Sequence, residues 1–442
     1  MNYQETVAYI ESLSPTLERP SLRRIEAFLS EIGSPQNAIK ALHIGGTNGK
    51  GSTVAMLDSI LRKGNLKVAR FTGPHLLRWN ERFHIDGKPI SDSEFARRAT
   101  ALREASEKFG KNNPAIGPLT WFEFLTALAF IFFAEENVDV AVYEVGLGGR
   151  FDATNVIAEP MATGITNVSL DHMQILGETI EEIAFEKAGI IKAKTPVVTS
   201  AEPPALAIIQ ARAKELNAPC VDCHKSSAGE IQVDDHSSIS CAEILLGTGD
   251  NRMRGSYQRD NVTVAIEMLK SAHFLKDRSY GGTLSLPAIR EGLKDVYWPA
   301  RFQILPRQGV ILEGAHNLAG AKALRSSLDQ TFPQEKMHFV FACYANKDGA
   351  AMLESLLRPG DIVYASQADF PRASYPKAAL AKCAERLGAR ASIHDTIAEA
   401  FEEAEKRRQG SQQIVVTGSF ATVKAVVTKL GWQTVEDGLK QI

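Results

Sequence analysis

The sequence predicts an α/β protein whose N-terminal domain is a mostly parallel, doubly wound sheet carrying a phosphate-binding loop (P-loop). Short apolar runs rich in β-forming residues alternate with amphipathic helical stretches, as expected for βαβ units. One such run, Ala41 to Ile44, leads into the glycine-rich segment 45–53, and a helical pattern follows directly. A strand, a glycine-rich turn and a helix in this order are typical of a nucleotide-binding α/β domain.

The segment 45–53 reads G-G-T-N-G-K-G-S-T and has the chemistry of a phosphate-binding loop. Glycines let backbone N–H groups approach phosphate oxygens, and Lys50 adds a positive charge where the next helix begins. The segment is not a strict Walker sequence, because Gly51 separates Lys50 from Ser52 and Ile44 stands where the first glycine would be. A glycine-rich turn without a ligand is the structural alternative, but the flanking strand and helix favour ATP or GTP.

The composition is that of a globular protein with two domains. The chain has 442 residues, of which 44% are hydrophobic and 23% charged. Its formal net charge of -2 provides no general attraction to nucleic acid, so small anionic substrates fit better. We therefore expect small-molecule partners and no nucleic acid.

No segment predicts membrane association or a disulfide framework. The apolar run Phe124 to Ala134 is too short to span a bilayer, and residues 1–13 lack the pattern of a signal peptide, so we expect a cytoplasmic protein. Five cysteines are too few and too scattered for a disulfide framework. A zinc site is disfavoured because no second C-x-x-C motif accompanies the candidate ligands, which are Cys220, Cys223, His224 and Cys241.

The predicted strands of the first domain end close to the unusual residues of the chain. Strands are predicted at Val68–Thr72, Val138–Val145, Ala162–Val168 and Thr195–Ser200, and helices at Val54–Lys63, Phe122–Glu136 and Ile180–Ile191. Ligands of doubly wound sheets bind beyond the carboxyl ends of the strands. We therefore expect the loops that follow residues 44, 72, 145 and 168 to converge on one crevice.

A second α/β domain is predicted after a proline-containing linker, which gives domain ranges of 1–298 and 299–442. The linker is the segment 298–301, W-P-A-R, and the polar segment 226–248 before it reads as a small β-rich excursion. Beyond the linker, strands are predicted at Val310–Glu313, His338–Ala342, Asp361–Ser366 and Gln413–Thr417, and helices at Ala319–Leu328 and Ile397–Arg408.

Three charged or metal-binding residues stand out in the first domain. Glu144, at a strand's carboxyl end beside the phosphate loop, suits a Mg²⁺ ligand, although it could instead cap the chain or pair with Arg150. His172 could bind a metal or a phosphate, or be a structural histidine. Lys187 could form an intrahelical ion pair or act at the site.

Seven motifs, in order, resemble one known family. They are G-T-N-G-K-G-S at 46–52, P-H-L at 74–76, L-T-W-F-E-F at 119–124, E-V-G-L-G-G-R-F-D-A-T-N at 144–155, L-D-H at 170–172, E-K-A-G-I-I-K at 186–192 and G-A-H-N at 314–317. Together they are similar to the bacterial folylpolyglutamate synthase/dihydrofolate synthase family of the Mur ligase superfamily. The resemblance covers nearly the whole chain.

The resemblance implies ATP-dependent amide formation. In this family the γ-phosphate of ATP is transferred to a carboxylate, and the amine of L-glutamate attacks the acyl phosphate. The expected acceptors are dihydropteroate and reduced folates. The resemblance also implies a monomeric enzyme that uses two Mg²⁺ ions and whose two domains close on ATP and glutamate.

The same resemblance assigns roles to individual residues. It implies nucleotide contacts for Thr47, Asn48, Gly49, Lys50, Gly51, Ser52, Asn261, Arg301 and Glu313, and metal ligation for Glu144, His172 and a carbamylated Lys187. Catalytic roles fall on Lys50, His172, Lys187, Arg301 and His316. Pterin contacts fall on Thr120, Trp121, Phe122, Glu123, Phe151, Asp152 and Ala153.

Three departures from the family pattern affect the expected site. Gly73 replaces the serine that ligates Mg²⁺ in the family, Glu313 replaces an aspartate and Tyr257 replaces a histidine. Gly73 and Glu313 motivate one alternative to the folate ligase, a paralogue that binds ATP without catalysis. A second alternative is a related ligase with a different acyl acceptor.

Overall fold

The computed structural model of the chain describes residues 1–14, 21–225, 230–232, 238–240, 253–275, 284–367 and 373–441. The chain divides into two compact units. The N-terminal unit comprises Met1–His75, Trp79–Gly247 and Asp260–Val296, and the C-terminal unit comprises Leu76–Arg78, Thr248–Arg259 and Tyr297–Ile442. No helix of the described residues is long and apolar enough to cross a membrane.

The N-terminal unit contains an eight-stranded sheet of order β4-β3-β2-β5-β1-β6-β7-β8. Its strands are β1 Ala41–Gly45, β2 Val68–Phe71, β3 Phe83–Ile85, β4 Lys88–Pro89, β5 Val140–Glu144, β6 Ala162–Ile165, β7 Val197–Thr199 and β8 Cys220–Asp222. All neighbours from β2 to β8 in this order pair in parallel, and β3 and β4 add an antiparallel edge. The predicted doubly wound, mostly parallel sheet is confirmed.

Helices surround this sheet, so its central strands are buried along their whole length. The helices are α1 Tyr3–Ser12, α2 Arg23–Glu31, α3 Lys50–Lys63, α4 Asp92–Asn112, α5 Trp121–Glu135, α6 Met173–Leu176, α7 Ile180–Ala188, α8 Ala205–Glu215, α9 Gln258–Ser271 and α10 Leu286–Asp295. Every residue of β1, β2 and β5 is buried, as is usual for parallel strands covered on both faces. The carboxyl ends of β2, β5, β1 and β6 are therefore neighbours at one edge of the sheet.

In the N-terminal unit, two helix ends differ from the sequence prediction by more than one residue. Helix α3 begins at Lys50 rather than the predicted Val54, because the helix starts directly at the phosphate loop with Gly49 as its N-cap. Helix α7 ends at Ala188 rather than Ile191, and Gly189 follows it as the C-cap. Within the segment 226–248, the structure describes only β9 Glu230–Gln232 and β10 Ser238–Ser240, which pair antiparallel.

The C-terminal unit has a six-stranded sheet of order β11-β12-β16-β13-β14-β15. Its strands are β11 Gln303–Leu305, β12 Val310–Leu312, β13 His338–Phe341, β14 Ile362–Ala365, β15 Arg390–Ile393 and β16 Ile414–Thr417. Only β11 is antiparallel to its neighbour. The helices are α11 Leu318–Thr331, α12 Gly349–Leu356, α13 Lys377–Arg386, α14 Ile397–Arg407 and α15 Phe420–Lys429.

A buried ion pair network fixes the phosphate-loop helix against the sheet. Asp58 of α3 is fully buried, and its Oδ2 atom lies 3.1 Å from Arg62 Nε and 3.2 Å from the guanidinium of Arg70 on β2. Both elements lead to the candidate site, since α3 begins at the phosphate loop and β2 ends before Gly73. Removing one partner of a buried pair leaves the opposite charge without compensation.

We expect Asp58→Ala to lower the free energy of unfolding by about 3 kcal/mol or more, because Arg70 would remain buried without its carboxylate. Urea denaturation followed by circular dichroism measures this. The control is Glu215→Ala, which removes the exposed pair with Arg212 and should cost less than about 1 kcal/mol. Equal losses in the two variants would show that the Asp58 network contributes no more than a surface pair.

Candidate active site

The loop between β1 and α3 requires glycine at two positions. Gly46 has φ +134° and Gly49 has φ +87°, values that other residues rarely adopt. A Cβ atom on Gly46 would lie 1.8 Å from Thr166 Oγ1, and one on Gly49 would lie 2.1 Å from Asn261 Oδ1. The loop is thus packed tightly between the segment after β6 and helix α9, which places the predicted nucleotide residue Asn261 beside it.

The segment that follows β6 holds the loop through hydrogen bonds that the sequence analysis missed. The backbone N–H groups of Thr47 and Asn48 donate to the carbonyl and side-chain oxygens of Asn167, both at 2.8 Å. Thr166 Oγ1 donates to the Asn48 carbonyl at 2.6 Å, and the Ser169 N–H donates to Thr47 Oγ1 at 3.0 Å. In the sequence, Thr166, Asn167 and Ser169 could have been identified by their position at the carboxyl end of a predicted parallel strand.

The first turn of α3 presents the features that bind phosphate. The N-cap residue of α3 is Gly49, which has no side chain that could cap the backbone N–H groups of the first turn. The predicted Gly51 and Ser52 are buried in this turn, where the positive end of the helix dipole lies. Backbone N–H groups at a helix N-terminus that follows a glycine-rich loop form an anion-binding site.

Two lysines share one carbonyl oxygen of this loop. Lys50 Nζ donates to the carbonyls of Gly46 at 3.2 Å and Thr47 at 3.1 Å. Lys187 Nζ, from helix α7, donates to the same Gly46 oxygen at 2.8 Å. The structure thus brings together the two lysines that the sequence predicted at the site, although they lie far apart in the chain.

The electrostatics of this pair favour a neutral amine on Lys187. Burial and the positive charge of Lys50 together lower the pKa of Lys187 to about 7, against the opposing effect of Asp171 and Asp152. The intrahelical ion pair between Lys187 and Glu186, which was one alternative from the sequence, does not form. Glu186 instead binds Arg150 at 2.6 Å.

Glu144 lies at the carboxyl end of β5 and points towards the end of β2. Its side chain is buried, and Oε2 accepts a hydrogen bond from the Gly73 N–H at 3.1 Å. The alternative ion pair with Arg150 is not the one observed, because Arg150 pairs with Glu186. The predicted convergence of the loops is confirmed within this unit, by the Glu144–Gly73 bond and by the bonds between the phosphate loop and Asn167.

His172 has a less constrained environment than Glu144. It adopts a left-handed backbone conformation with φ +52° at the start of α6, and its side chain is about one-third exposed. Its N–H donates to Asp171 Oδ1 at 2.8 Å. The acidic Asp171, which is buried, contributes a second carboxylate to this region and acts electrostatically on Lys187.

The donor set at this edge fits a hard cation in part. Across the described residues, no group of three or more His, Cys, Asp or Glu is placed to hold a metal ion. Glu144 provides a buried carboxylate of the type that Mg²⁺ prefers, whereas Gly73 provides no side-chain oxygen. Mg²⁺ often keeps water and substrate phosphates as ligands, so an incomplete protein cage is compatible with it.

Two of the predicted pterin residues form the N-terminal cap of α5. The N–H and Oγ1 of Thr120 both donate to Glu123 Oε2 at 2.8 Å, and Arg24 lies 3.5 Å from the same oxygen. Both side chains are buried. The structure therefore gives Thr120 and Glu123 a structural role, as a capping box that starts the helix.

The other two residues of that segment belong to an aromatic cluster. The ring of Trp121 lies 6.3 Å from that of Trp79 and 5.4 Å from that of Phe122, measured between centroids. The guanidinium of Arg82 lies over both tryptophan rings, at 5.1 and 5.7 Å. A Cβ atom on Gly146 would lie 2.3 Å from the Phe122 ring, so the loop after Glu144 packs directly on this cluster.

The side chain of Asp152 forms hydrogen bonds within its own loop. Its carboxylate accepts hydrogen bonds from the N–H groups of Leu147 at 2.8 Å and Thr154 at 3.0 Å. The hydroxyl of Thr154 also lies 2.8 Å from Nε2 of His43, a buried residue of β1 whose pKa burial lowers to about 3. This network ties the loop after β5 to the strand that carries the phosphate loop.

The remaining predicted pterin residues differ in exposure. Phe151 is 41% exposed, and its ring lies 4.4 Å from the guanidinium of Arg150. Ala153 is buried at the start of a short 3₁₀ helix, Ala153–Val156. Phe151 is thus the residue of this group that offers an accessible aromatic face.

The predicted residues of the C-terminal unit also form one cluster. Arg301 lies 3.7 Å from Glu313 and its guanidinium lies 4.6 Å from the centre of the Phe420 ring. Tyr257 donates to Glu313 Oε2 at 2.7 Å. In the same loop after β12, His316 Nδ1 lies 3.0 Å from the carbonyl oxygen of Gly314.

The chain matches two protein-family models and close relatives over most of its length. Residues 44–269 match the Mur ligase middle domain, and residues 306–429 match the C-terminal domain of dihydrofolate synthetase. A dihydrofolate synthase/folylpolyglutamate synthase of Bacillus subtilis is 35% identical over 382 residues, which cover 85% of this chain and 87% of the relative.

Solved structures with bound nucleotide have the same fold. A Mycobacterium tuberculosis folylpolyglutamate synthase complexed with ADP is 30% identical, with a TM-score of 0.82 over 98% of this chain and 99% of that one. E. coli FolC in complex with DHPP and ADP is 26% identical, with a TM-score of 0.80 over 98% of each chain.

The lowered pKa of Lys187 predicts a pH dependence of stability. The folded protein loses the Lys187 proton near pH 7, whereas the unfolded chain keeps it up to the ordinary value of 10.5. Between these values the unfolded state binds more protons, so the free energy of unfolding rises with pH, by up to about 1.4 kcal/mol per unit from this group. Lys187→Met should remove this contribution.

Urea denaturation at several pH values above 7, in buffer depleted of CO₂, measures the slope. The control is Lys429→Met, which changes an exposed lysine that pairs with Glu402. We expect the control to keep the wild-type slope and Lys187→Met to flatten it. Indistinguishable slopes for Lys187→Met and wild type would contradict the lowered pKa.

Proposed function

The chain belongs to the dihydrofolate synthase/folylpolyglutamate synthase family, and we propose that it joins L-glutamate to dihydropteroate and to reduced folates at the expense of ATP. The observation that carries the proposal is the phosphate loop, in which Lys50 and Lys187 meet at the Gly46 carbonyl. Relatives of the same fold have been solved with ADP. A monomeric state and a cytoplasmic location stay predictions from the sequence.

The reaction needs activation because a carboxylate oxygen is a poor leaving group. Transfer of the γ-phosphate to the carboxylate forms an acyl phosphate and ADP. The amine of glutamate then attacks the carbonyl carbon, the C–N bond forms, the C–O bond to phosphate breaks, and the amine gives up a proton. Enzymes of phosphoryl transfer work chiefly by positioning and by offsetting negative charge.

The phosphate loop supplies both effects. We assign the phosphate contacts to residues 47–52, whose backbone turns into the N-terminus of α3. Lys50 now bonds two carbonyls of its own loop, at 3.1 and 3.2 Å. An ammonium group forms stronger hydrogen bonds with phosphate oxygens than with neutral carbonyls, so Lys50 can exchange these partners for the nucleotide.

Glu144, His172 and a carbamylated Lys187 would hold Mg²⁺ in this proposal. A metal ion held there would supply positive charge that offsets the negative charge developing during phosphoryl transfer. Gly73 offers only its backbone, and its N–H already donates to Glu144. This chain therefore relies on Glu144, water and nucleotide oxygens where its family has a serine.

The environment of Lys187 supports carbamylation. The reaction of the amine with CO₂ requires the neutral form and releases one proton. Burial and Lys50 lower the pKa of Lys187 to about 7, so a large fraction of the amine is neutral at that pH. The product is an anion beside Lys50 and keeps an N–H that can still donate to Gly46, where the amine donates now.

The pterin ring is assigned to the aromatic surfaces. Trp121, Phe122 and Phe151 offer flat faces, and aromatic faces suit a bicyclic ring. Thr120, Glu123, Asp152 and Ala153 shape the loops that carry these rings. In the C-terminal unit, Arg301, Glu313 and His316 are assigned to the nucleotide and phosphates, and Asn261 to the nucleotide beside Gly49.

The test is phosphate release from ATP with L-glutamate and either dihydropteroate or tetrahydrofolate, with the product identified by mass. We expect a product one glutamate heavier. Turnover only with another carboxylate would indicate a ligase with a different acyl acceptor. ATP binding without glutamate incorporation on any pterin would indicate the non-catalytic alternative, which was motivated by the glycine at position 73 and the glutamate at position 313.

Lys50→Ala should abolish turnover, by roughly 10³-fold or more, because it removes the mobile positive charge from the phosphates. The matched control is Lys63→Ala at the other end of the same helix, which removes only the surface pair with Asp295. The control should keep a near-normal rate. Retention of a near-normal rate by Lys50→Ala would refute its assigned role.

Carbamylation of Lys187 predicts that activity depends on CO₂. Enzyme prepared without CO₂ should lose activity and recover it with bicarbonate, and the mass of the native protein should rise by one CO₂. Recovery should weaken as the pH falls below about 7, because the amine becomes protonated. Lys187→Ala should be inactive in either condition, and equal activity of wild type with and without CO₂ would count against the modification.

A further inference from the structure

Tyr257 and Glu313, two positions at which this chain departs from its family's pattern, contact each other. The Tyr257 hydroxyl donates to Glu313 Oε2 at 2.7 Å. Both residues lie in the C-terminal unit. A tyrosine and a glutamate therefore form one hydrogen-bonded pair where the family has a histidine and an aspartate.

The backbone around Tyr257 is shaped to admit its ring. Gly255 has φ +109°, and a Cβ atom at that position would lie 2.9 Å from Tyr257 Cε1. The N–H of Ser256 donates to Ser327 Oγ of α11 at 3.1 Å. The ring packs against the core cluster that contains Phe302. The tyrosine is thus fixed by its surroundings, and its hydroxyl has a defined position.

The carboxylate of Glu313 is held asymmetrically. Oε2 accepts two hydrogen bonds, from the Tyr257 hydroxyl and from the Phe302 N–H at 2.9 Å. Oε1 lies 3.7 Å from Arg301 NH1, which is longer than a hydrogen bond. One edge of the carboxylate is therefore anchored, and the other faces the guanidinium.

Burial makes these donors necessary. Glu313 is 4% exposed, and burial raises its pKa, whereas Arg301, the Tyr257 hydroxyl and the Phe302 N–H lower it. A buried carboxylate without such partners is costly and tends to become protonated. A protonated Glu313 would no longer pair with Arg301, which the Phe420 ring contacts at 4.6 Å.

We propose that Tyr257 is a positioning residue for nucleotide binding: it anchors Glu313 so that the carboxylate stays ionised and oriented towards Arg301. The inference rests on the proposed function, which assigns Glu313 and Arg301 to ATP. Tyr257 and Glu313 act as a matched unit, since the longer glutamate reaches the hydroxyl that the tyrosine presents. Changing either residue alone towards the family pattern then disrupts the unit, and changing both restores a hydrogen-bonded pair.

The experiment measures ADP binding by isothermal titration calorimetry, with steady-state kinetics of the wild type and variants. Tyr257→Phe should weaken ADP binding roughly tenfold, as expected for loss of a hydrogen bond to a charged group. The KM for ATP should rise similarly, while the KM values for the pterin and for glutamate stay within about twofold of wild type. The loss should deepen at acidic pH, because the pKa of Glu313 rises when a donor is removed.

The matched control is Tyr364→Phe, which removes another tyrosine hydroxyl of the same unit, hydrogen-bonded to His338 Nδ1 at 2.9 Å. It should lower the unfolding temperature about as much as Tyr257→Phe and leave ADP binding unchanged. A comparable loss of ADP binding in both variants would mean that Tyr257 acts only through stability, and would overturn the inference.

The paired exchange provides a second test that does not depend on Tyr257→Phe. Tyr257→His and Glu313→Asp should each weaken ADP binding, and the double variant should bind more tightly than the product of the single effects predicts. If the effects of the two single variants on ADP binding simply multiply in the double variant, the inference that Tyr257 and Glu313 act as a matched unit is overturned. ADP binding by wild type with no change in Tyr257→Phe would overturn the positioning role alone, whereas no ADP binding by wild type would overturn the proposed function together with this inference.

Discussion

The site is organised around one carbonyl oxygen, that of Gly46, because two lysine ammonium groups meet there. This contact depends on a loop that turns so tightly that only glycine fits at positions 46 and 49. The segment after β6 fixes the loop, through Thr166 and Asn167, before any ligand binds. Burial, together with repulsion from the charge of Lys50, makes a protonated Lys187 costly, and this cost appears as its lowered pKa. A bound triphosphate, or a carbamate on Lys187, would relieve the same repulsion.

A second constraint is that several carboxylates near the site already have partners in the fold. Glu123 caps α5 and lies beside Arg24, and Asp152 accepts bonds from Leu147 and Thr154 in its own loop. A side chain with such partners positions its loop. In the proposed function these carboxylates therefore shape the loops, and the flat ring of the substrate is assigned to the aromatic rings of Trp121, Phe122 and Phe151.

The strands that are buried along their whole length were readable from the sequence, because each one is a mostly apolar run. The predicted strands around β1, β5 and β16 were of this kind, and all are observed. Strand β15, which is half-exposed at the sheet edge, has no such pattern and was missed. Hydrogen-bond partners were also beyond the sequence: the motifs named Lys50 and Lys187, but only the folded chain shows that both reach Gly46, and that Arg150 binds Glu186.

The residues at positions 257 and 313 differ from the family pattern, but this difference does not indicate that the site has lost its function. A buried carboxylate destabilises a fold unless donors surround it, and an apolar side chain at position 313 would avoid that cost. The chain instead places a carboxylate there with the Phe302 N–H, the Tyr257 hydroxyl and Arg301 around it. Costly ionisable groups held by specific partners are characteristic of functional sites rather than of inert cores. Although both residues differ from the family pattern, a carboxylate that accepts a hydrogen bond from the aromatic side chain is therefore retained next to Arg301.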